Sequence, residues 1–358
     1  MELSEVEKDY FVNYEELEVH RLMLEDIPRT EAYRKAIFEN EAYFKDKVVM
    51  DVGCGTGILS LFCAQAGAKK VYAVEASNLA NVAQEVVLEN NFKHVIEVIH
   101  SRVEDVKLPD GIKVDIIISE WMGFYLLHEG MLNSVLEARD KFLKEGGEMF
   151  PDYATIHVAP CSLPTYNEKW LKFCGVSLNS FAKHLREAKT KPEIMQVCPD
   201  DLLTPSKVLA ALDLKEVKIS DVDAFSTEHV VGASRNGNFQ GVCIWFECTF
   251  PQLTDKDQVT LSTEPSCALT HWKQTVIFLP ESIEVEKEEP IAYRLDMVRD
   301  SGSHRRYKLE LTLLDPTDVE HPMGCSCYQT KCILVRAVMA EQSVLMDEDI
   351  CSDDEGSD

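Results

Sequence analysis

The pattern of apolar and polar positions changes character near residue 150. Before it, short runs rich in valine and isoleucine alternate with stretches whose apolar residues recur at helical spacing. The runs predict strands at Lys47–Asp51, Val71–Glu75, Val95–His100 and Val114–Glu120. The stretches predict helices over Ile58–Ala66, Asn78–Asn90 and Met131–Leu143, with Gly67 just past the first. This alternation predicts an α/β unit over 47–150, a parallel sheet with helices on both faces. Residues 1–46 are polar with scattered aromatics and read as helical from Asn13 to Asn40.

After Pro151 the period drops to two. Val242, Ile244, Phe246, Cys248 and Phe250 alternate with partly polar neighbours, as do Ile291, Tyr293, Leu295 and Met297. Tyr307, Leu309, Leu311 and Leu313 repeat the pattern against Lys308, Glu310 and Thr312. Half-buried antiparallel strands give this signal, so residues 151–345 are expected to form a β-barrel or sandwich. A helix-like insert at about 164–200 carries Tyr166, Trp170, Leu171, Phe173 and Phe181. The tail at 346–358 is too acidic to pack and is expected to be disordered.

Composition changes this picture little, and charge changes it more. A hydrophobic share of 45% suits a folded chain. No apolar run is long enough to span a bilayer, so no membrane partner is expected. The acidic start lacks a signal core, and twelve cysteines then point to reduced thiols in cytosol or nucleus. Lys plus Arg total 36 against 62 Asp plus Glu, a net charge of -26. Such a surface repels phosphates, so direct nucleic-acid binding is not expected, and it attracts basic partners.

Two clusters carry chemistry. The first is Asp51-Val52-Gly53-Cys54-Gly55-Thr56-Gly57, a buried strand entering a glycine loop and then a helix. Glycines let backbone approach a ligand closely. Glu75 ends the next strand, where a carboxylate accepts both hydroxyls of a ribose. The loop reads D-x-G-x-G-x-G instead of the dinucleotide pattern G-x-G-x-x-G. With no diphosphate to cradle, Asp51 suits an ammonium group, which favours S-adenosylmethionine over NAD. The second cluster follows the strand Val114–Ser119: Glu120-Trp121-Met122-Gly123-Phe124-Tyr125-Leu126-Leu127-His128-Glu129-Gly130-Met131. Ligands of open α/β sheets bind beyond the carboxyl ends of strands, which is where Glu120 and Glu129 fall. Two carboxylates on one loop repel each other unless a cation sits between them. A guanidinium, planar and always protonated, matches that pair.

This loop resembles the double-glutamate loop of protein arginine methyltransferases. Tyr10-Phe11-x-x-Tyr14 is similar to the family's N-terminal aromatic motif, and Thr270-His271-Trp272 to its signature in the β domain. Arg29-Thr30-x-x-Tyr33-Arg34 sits where the family places its cofactor-carboxylate arginine. The resemblance runs in consistent order over roughly 10–340. It implies a class I methyltransferase (Rossmann-like) sheet over 47–150 under an N-terminal helical lid at 1–46, then a β-barrel domain with a dimerisation arm.

The resemblance also implies roles. Arg29 would pair with the cofactor carboxylate, Asp51, Gly53 and Gly55 would line its amino-acid end, and Glu75 would hold its ribose. Glu104 would accept from the adenine amino group, Phe11 would cover the cofactor, and His20 would be a neighbour. Tyr14 and Trp272 would frame the substrate pocket, which Met23 and Met131 would shape in the asymmetric-dimethylating branch. Glu120 would hold the guanidinium and Glu129 would orient the attacking nitrogen. His271 opposite Asp26 resembles the family's histidine–aspartate pair, and the final base is left between Glu129 and that pair. The expected activity is methylation of protein arginines to mono- and asymmetric dimethylarginine by a homodimer, with Arg/Gly-rich or basic segments such as histone tails as substrates. A methyltransferase-like scaffold or a weak enzyme with a narrow substrate is the alternative, although a scaffold has no physical need for Arg29, Glu75 and Glu104 together. Phe124 and Gly130 stand where the family usually has Tyr and Ser, and Pro28 precedes Arg29.

Two further features are read as structural. Arg305-Arg306 looks like the start of an edge strand. Cys325, Cys327 and Cys332, with His321 nearby, have a C-x-C-x4-C spacing that is not a standard zinc pair. They are placed in the last strand region, and no metal site is expected.

Overall fold

The computed structural model describes residues 16–163, 169–189 and 191–340. Tyr10, Phe11, Tyr14 and the acidic tail therefore lie outside the described residues. The helix expected over Asn13–Asn40 is two, α1 (Leu17–Glu25) and α2 (Ile27–Glu39), meeting at Asp26. The cause is local. Pro28 has no N–H to continue a helix and suits a first turn, and the Asp26 carboxylate caps that turn by accepting from Arg29 N–H at 3.1 Å. A short α3 (Glu41–Phe44) leads into the sheet.

The α/β half runs β1 (Val48–Val52), α4 (Ile58–Gln65), β2 (Lys70–Glu75), α5 (Leu79–Glu89), β3 (Ile96–His100), β4 (Val114–Ile118), α6 (Leu132–Phe142) and β5 (Leu143–Phe150). All five strands are parallel, in the order β3-β2-β1-β4-β5. The order reverses between β1 and β4, and the crevice beyond their carboxyl ends is where such sheets bind ligands. The alternation did not predict β5, because Leu143-Lys144-Glu145-Gly146-Gly147-Glu148 lacks an apolar run and only Met149 and Phe150 are buried.

The second half is antiparallel. One sheet holds β6 (Tyr153–Cys161), β7 (Glu193–Met195), β8 (Lys207–Asp213), β10 (Gly237–Thr249), β11 (Thr260–Ser262) and β12 (Gln274–Val285). The other holds β9 (Ala224–Gly232), β13 (Pro290–Asp300) and β14 (Ser303–Leu313), in the order β14-β13-β9. The expectation of half-buried strands fails for β10, which is buried on both faces. Val242, Ile244 and Phe246 enter the main core, while Cys243 and Trp245 pack with Cys161, Leu163 and Val197 on the other side. The insert contributes α7 (Asn179–Glu187), which buries none of its residues.

Residues 315–340 depart from expectation altogether. They form a looped segment and a helix, α8, over 330–340, so the cysteines there do not belong to a strand. No described helix is long and apolar enough to cross a membrane.

The two halves share one core. Tyr33 of α2 stacks edge-on against Phe250, with ring centroids 4.9 Å apart. Asn40, at the end of α2, donates to Pro251 O at 2.9 Å and accepts from Leu253 N–H at 2.9 Å. These contacts hold α2, and with it Asp26 and Arg29, at the junction of the halves.

Candidate active site

A cleft of about 260 Å³ opens at the sheet's switch point and reaches from Glu104 at one end to His271 and Arg305 at the other. The glycine loop forms its floor. Gly53 and Gly55 have φ of 72° and 54°, values that disfavour a side chain. A Cβ on Gly53 would also collide with the thioether of Met131. Gly53 and Cys54 donate their N–H groups to Val74 O at 2.9 and 3.0 Å, which ties the loop to β2.

Each carboxylate at this end is oriented by a neighbour. Glu75 accepts from Gly55 N–H at 2.9 Å and from Ser77 N–H at 2.8 Å. Glu104 accepts from Ser134 Oγ at 2.6 Å and pairs with Arg102 at 3.3 Å. Both line the cleft, as do His20, Gly53, Gly55, Met23 and Met131. The His20 ring stands against Gly55.

Asp51 does not line the cleft, which corrects its expected place at the cofactor's amino-acid end. It is fully buried behind the loop, where its Oδ2 accepts from Ser60 Oγ at 2.6 Å at the start of α4. Burial pushes its carboxyl up to about 7, against the opposing hydrogen bonds from Ser60. Its position makes it a brace between β1 and α4.

Arg29 is held by the loop after β4. Its Nε and Nη2 donate to Glu120 Oε2 at 2.8 and 2.6 Å, and its Nη1 donates to Met23 O at 3.1 Å. The other oxygen of Glu120 accepts from Met122 N–H at 3.1 Å. Burial works against the Arg29 charge, but Glu120 outweighs it and raises the guanidinium's value.

The rest of the acceptor end is assembled from distant segments. The loop after β4 is strained, with φ of 43° at Tyr125, 73° at Leu126 and 77° at Glu129. Arg305 of β14 secures it: Glu129 N–H donates to Arg305 O at 2.7 Å, and Arg305 Nη1 donates to Glu129 O at 2.8 Å. His271 is brought to Asp26, Nδ1 to Oδ2 at 2.6 Å, with the His271 backbone N–H on the same oxygen at 2.8 Å. Burial opposes ionisation of Asp26, but the bonds from His271 and from Arg29 N–H prevail and hold its carboxyl below the usual value. Trp272 is buried and donates Nε1–H to Met122 O at 3.0 Å, fastening the β domain to the same loop.

The structure thus gathers Asp26, Arg29, Glu120, Glu129, His271 and Trp272 at one end, and Glu75, Glu104 and His20 at the other. Phe11 and Tyr14 fall outside the described residues. Sequence reasoning missed Arg305, whose assigned place on an edge strand is right but whose contact with Glu129 spans the two halves. It also missed Ser134 and Ser60, which orient Glu104 and Asp51, and whose single hydroxyls carry no sequence signal.

Known proteins resemble this chain in sequence and fold. A profile of the arginine methyltransferase oligomerization subdomain matches residues 152–314, and one of a methyltransferase domain matches residues 49–147. Protein arginine N-methyltransferase 1 of Saccharomyces cerevisiae is 39% identical over 314 residues, covering 87% of this chain and 89% of the relative. A probable protein arginine N-methyltransferase 6.1 of Oryza sativa subsp. japonica is 37% identical over 337 residues, covering 86% of each. Among solved structures, the Trypanosoma brucei PRMT1 enzyme-prozyme heterotetrameric complex with AdoHcy superposes with a TM-score of 0.74 at 35% identity. That match covers 86% of this chain and 97% of the other.

Proposed function

The chain belongs to the protein arginine methyltransferase family, and from that premise we propose how its cleft works. It is an S-adenosylmethionine-dependent enzyme of type I that methylates arginine side chains of proteins. The observation that carries the reading is a single cleft with oriented carboxylates at one end and two glutamates with a histidine–aspartate pair at the other.

The residues fit the cofactor. Glu75 keeps acceptor capacity for ribose hydroxyls, Glu104 lines the cleft as an acceptor for an adenine amino group, and the left-handed glycines give backbone access. Arg29 would face the carboxylate while holding Glu120 in place. When bound, S-adenosylmethionine supplies an electrophilic methyl group and leaves as a thioether.

Everything else falls to the chain. A guanidinium is a poor nucleophile because its lone pairs are delocalised. Glu120 and Glu129 would concentrate its positive charge on two nitrogens and aim the third, so that catalysis is chiefly positioning and electrostatics. One proton must leave the nitrogen that gains the methyl. Asp26, ionised and 2.6 Å from His271 Nδ1, favours the tautomer with a proton on Nδ1 and an accepting Nε2. We assign His271 as the proton acceptor on that ground, with Met23 and Met131 shaping the space around the nitrogen.

Basic or Arg/Gly-rich segments are the proposed substrates, since a net charge of -26 steers them inward. We also propose a homodimer. Leu171, Phe173, Val176 and Phe181 of the insert are 55%, 48%, 57% and 48% exposed, an apolar face without a core of its own. Leu17 and Ile27 are exposed on α1 and α2, and a head-to-tail pair would cover both faces. We propose the cytosol or nucleus as its compartment, where a chain with twelve cysteines would keep them reduced.

The test is incubation with labelled S-adenosylmethionine and an Arg/Gly-rich protein, followed by hydrolysis. Asymmetric dimethylarginine is expected, and symmetric product would overturn the subtype. Absence of label with cofactor binding intact would favour the scaffold. A solution mass near 40.5 kDa would refute the dimer.

A further inference from the structure

The segment after β14 has almost no hydrophobic core. Among described residues 315–340, only Cys325, Cys327 and Cys332 are buried, while Ile333, Leu334, Val338 and Met339 of α8 face solvent. Three small side chains bury too little apolar surface to offset the entropy of ordering such a segment. Yet its backbone lies tight against the three-stranded sheet. Ser326 Oγ accepts from Gly232 N–H at 3.2 Å, and Tyr328 N–H donates to Glu288 O at 2.9 Å. A Cβ on Gly232 would meet the backbone of Ser326 and Cys327 at 2.7 Å.

The arrangement of the four polar side chains supplies what the apolar residues do not. One ligand atom each from His321, Cys325, Cys327 and Cys332 lies within 4.8 Å of every other. His321 Nδ1 stands 3.5, 3.3 and 3.2 Å from the three sulfurs. A tetrahedral zinc with bonds of about 2.3 Å to sulfur and about 2.0 Å to nitrogen sets its sulfur and nitrogen ligands roughly 3.5 Å apart.

The histidine's other nitrogen fixes the tautomer. Nε2 lies 2.8 Å from Pro316 O, a carbonyl that can only accept, so Nε2 carries the proton and Nδ1 presents a lone pair. One lone pair accepts one S–H hydrogen bond. Three sulfurs converging on it have no rationale in hydrogen bonding, but are the geometry of ligands around a shared cation.

We propose that His321, Cys325, Cys327 and Cys332 form a structural zinc site that fastens residues 315–340 to the sheet of β9, β13 and β14. The soft donor set of three thiolates and an imidazole selects zinc over calcium or magnesium, and four protein ligands leave no position open for catalysis. Binding converts three thiols to thiolates and releases three protons per ion, leaving a site of net charge minus one. Arg336 of α8 lies close enough to temper that charge, donating to Cys325 O and, at 3.0 Å, to Cys327 O. The site lies beyond residue 314, where the match to the oligomerization subdomain ends. The sequence concealed it because the spacing around Cys325 is not that of a standard pair, and the fourth ligand precedes the cysteines.

Elemental analysis of the full-length chain, expressed with zinc and passed through gel filtration, should give about one zinc per chain. Cobalt exchanged into the site should show visible d–d bands and a near-ultraviolet thiolate-to-cobalt band. Cys327→Ser and His321→Ala should lose the metal, from about one ion to almost none, while retaining S-adenosylmethionine binding. Cys198→Ser, at an exposed thiol elsewhere, should keep it. Should the two ligand variants fail to fold, titration of the wild-type chain with a mercurial decides. Zinc must then leave in step with the cysteine-cluster thiols. A wild-type chain that carries no zinc and takes up neither zinc nor cobalt overturns the proposal. So does a non-reduced mass lighter by two hydrogens, which would make the cluster a disulfide pair, or undiminished zinc in both ligand variants.

Discussion

The two ends of the cleft are built in opposite ways. At the cofactor end, Gly53, Gly55, Glu75 and Glu104 come from one continuous β/α succession, and each carboxylate is oriented by a neighbour within it. At the acceptor end, Asp26, Glu120, Glu129, His271 and Arg305 come from the N-terminal helices, the loop after β4 and two parts of the β domain. The first end is a property of a supersecondary unit, whereas the second exists only when the halves are packed together. Cofactor affinity and turnover should therefore separate: changes at the first end act on cofactor binding, and changes at the second on the chemical step.

The sharpest way to break that separation is Glu129→Gln, which removes a charge with little change of volume. Turnover should fall roughly 10²–10³-fold, the range for losing one preorganised electrostatic contact, while cofactor affinity holds. A parallel loss of cofactor affinity, measured by calorimetry, would show that the ends are not independent. Next in size, His271→Gln should cost about 10²-fold in kcat while cofactor affinity holds. Asp26→Asn should reproduce that loss, because it removes the acceptor that fixes the tautomer of His271. If both variants keep the wild-type kcat, the proton leaves by another route.

A smaller change tests the other end. Glu75→Gln should weaken cofactor binding about tenfold, as expected for losing a charged hydrogen-bond acceptor, and leave kcat at saturating cofactor within about twofold. A collapse of kcat at saturation would place Glu75 in the chemistry.

The same contrast governs what was legible in the sequence. The parallel half was readable because strand, glycine loop and helix follow one another, so spacing alone placed Glu75. β5 escaped because its exposed first residues are polar, and the two-sided burial of β10 escaped because its second covering layer comes from a remote insert. At the acceptor end, Glu120 and Glu129 were visible as a pair on one loop. The pairing of His271 with Asp26 came only through resemblance. Arg305 gave no signal, since its link to Glu129 is partly main chain and crosses between halves. Asp51 was misplaced because a carboxylate at a strand end looks the same in sequence whether it faces ligand or core.

Asp51 gives the smallest expected effect on turnover and the most direct view of the buried side of the cofactor end. Folding raises its carboxyl from the ordinary 3.8 to about 7, because the fully buried group loses more by ionising than Ser60 returns. The folded chain therefore binds that proton more tightly than the unfolded chain does. The stability this confers is complete below pH of about 4 and drains away as pH rises to about 7, above which it is constant. Asp51→Asn keeps a neutral group at every pH, so the variant should lack this decline. Its melting temperature relative to wild type should climb across that window, with the difference levelling off above it. At about 1.4 kcal/mol per pH unit the full change is at most roughly 4 kcal/mol. Because Asp51 does not line the cleft, cofactor affinity at pH 8 should move less than in Glu75→Gln. A melting difference flat from pH 4 to 8 would mean that Asp51 is ionised throughout. A loss of affinity larger than that of Glu75→Gln would return Asp51 to the ligand's side of the loop.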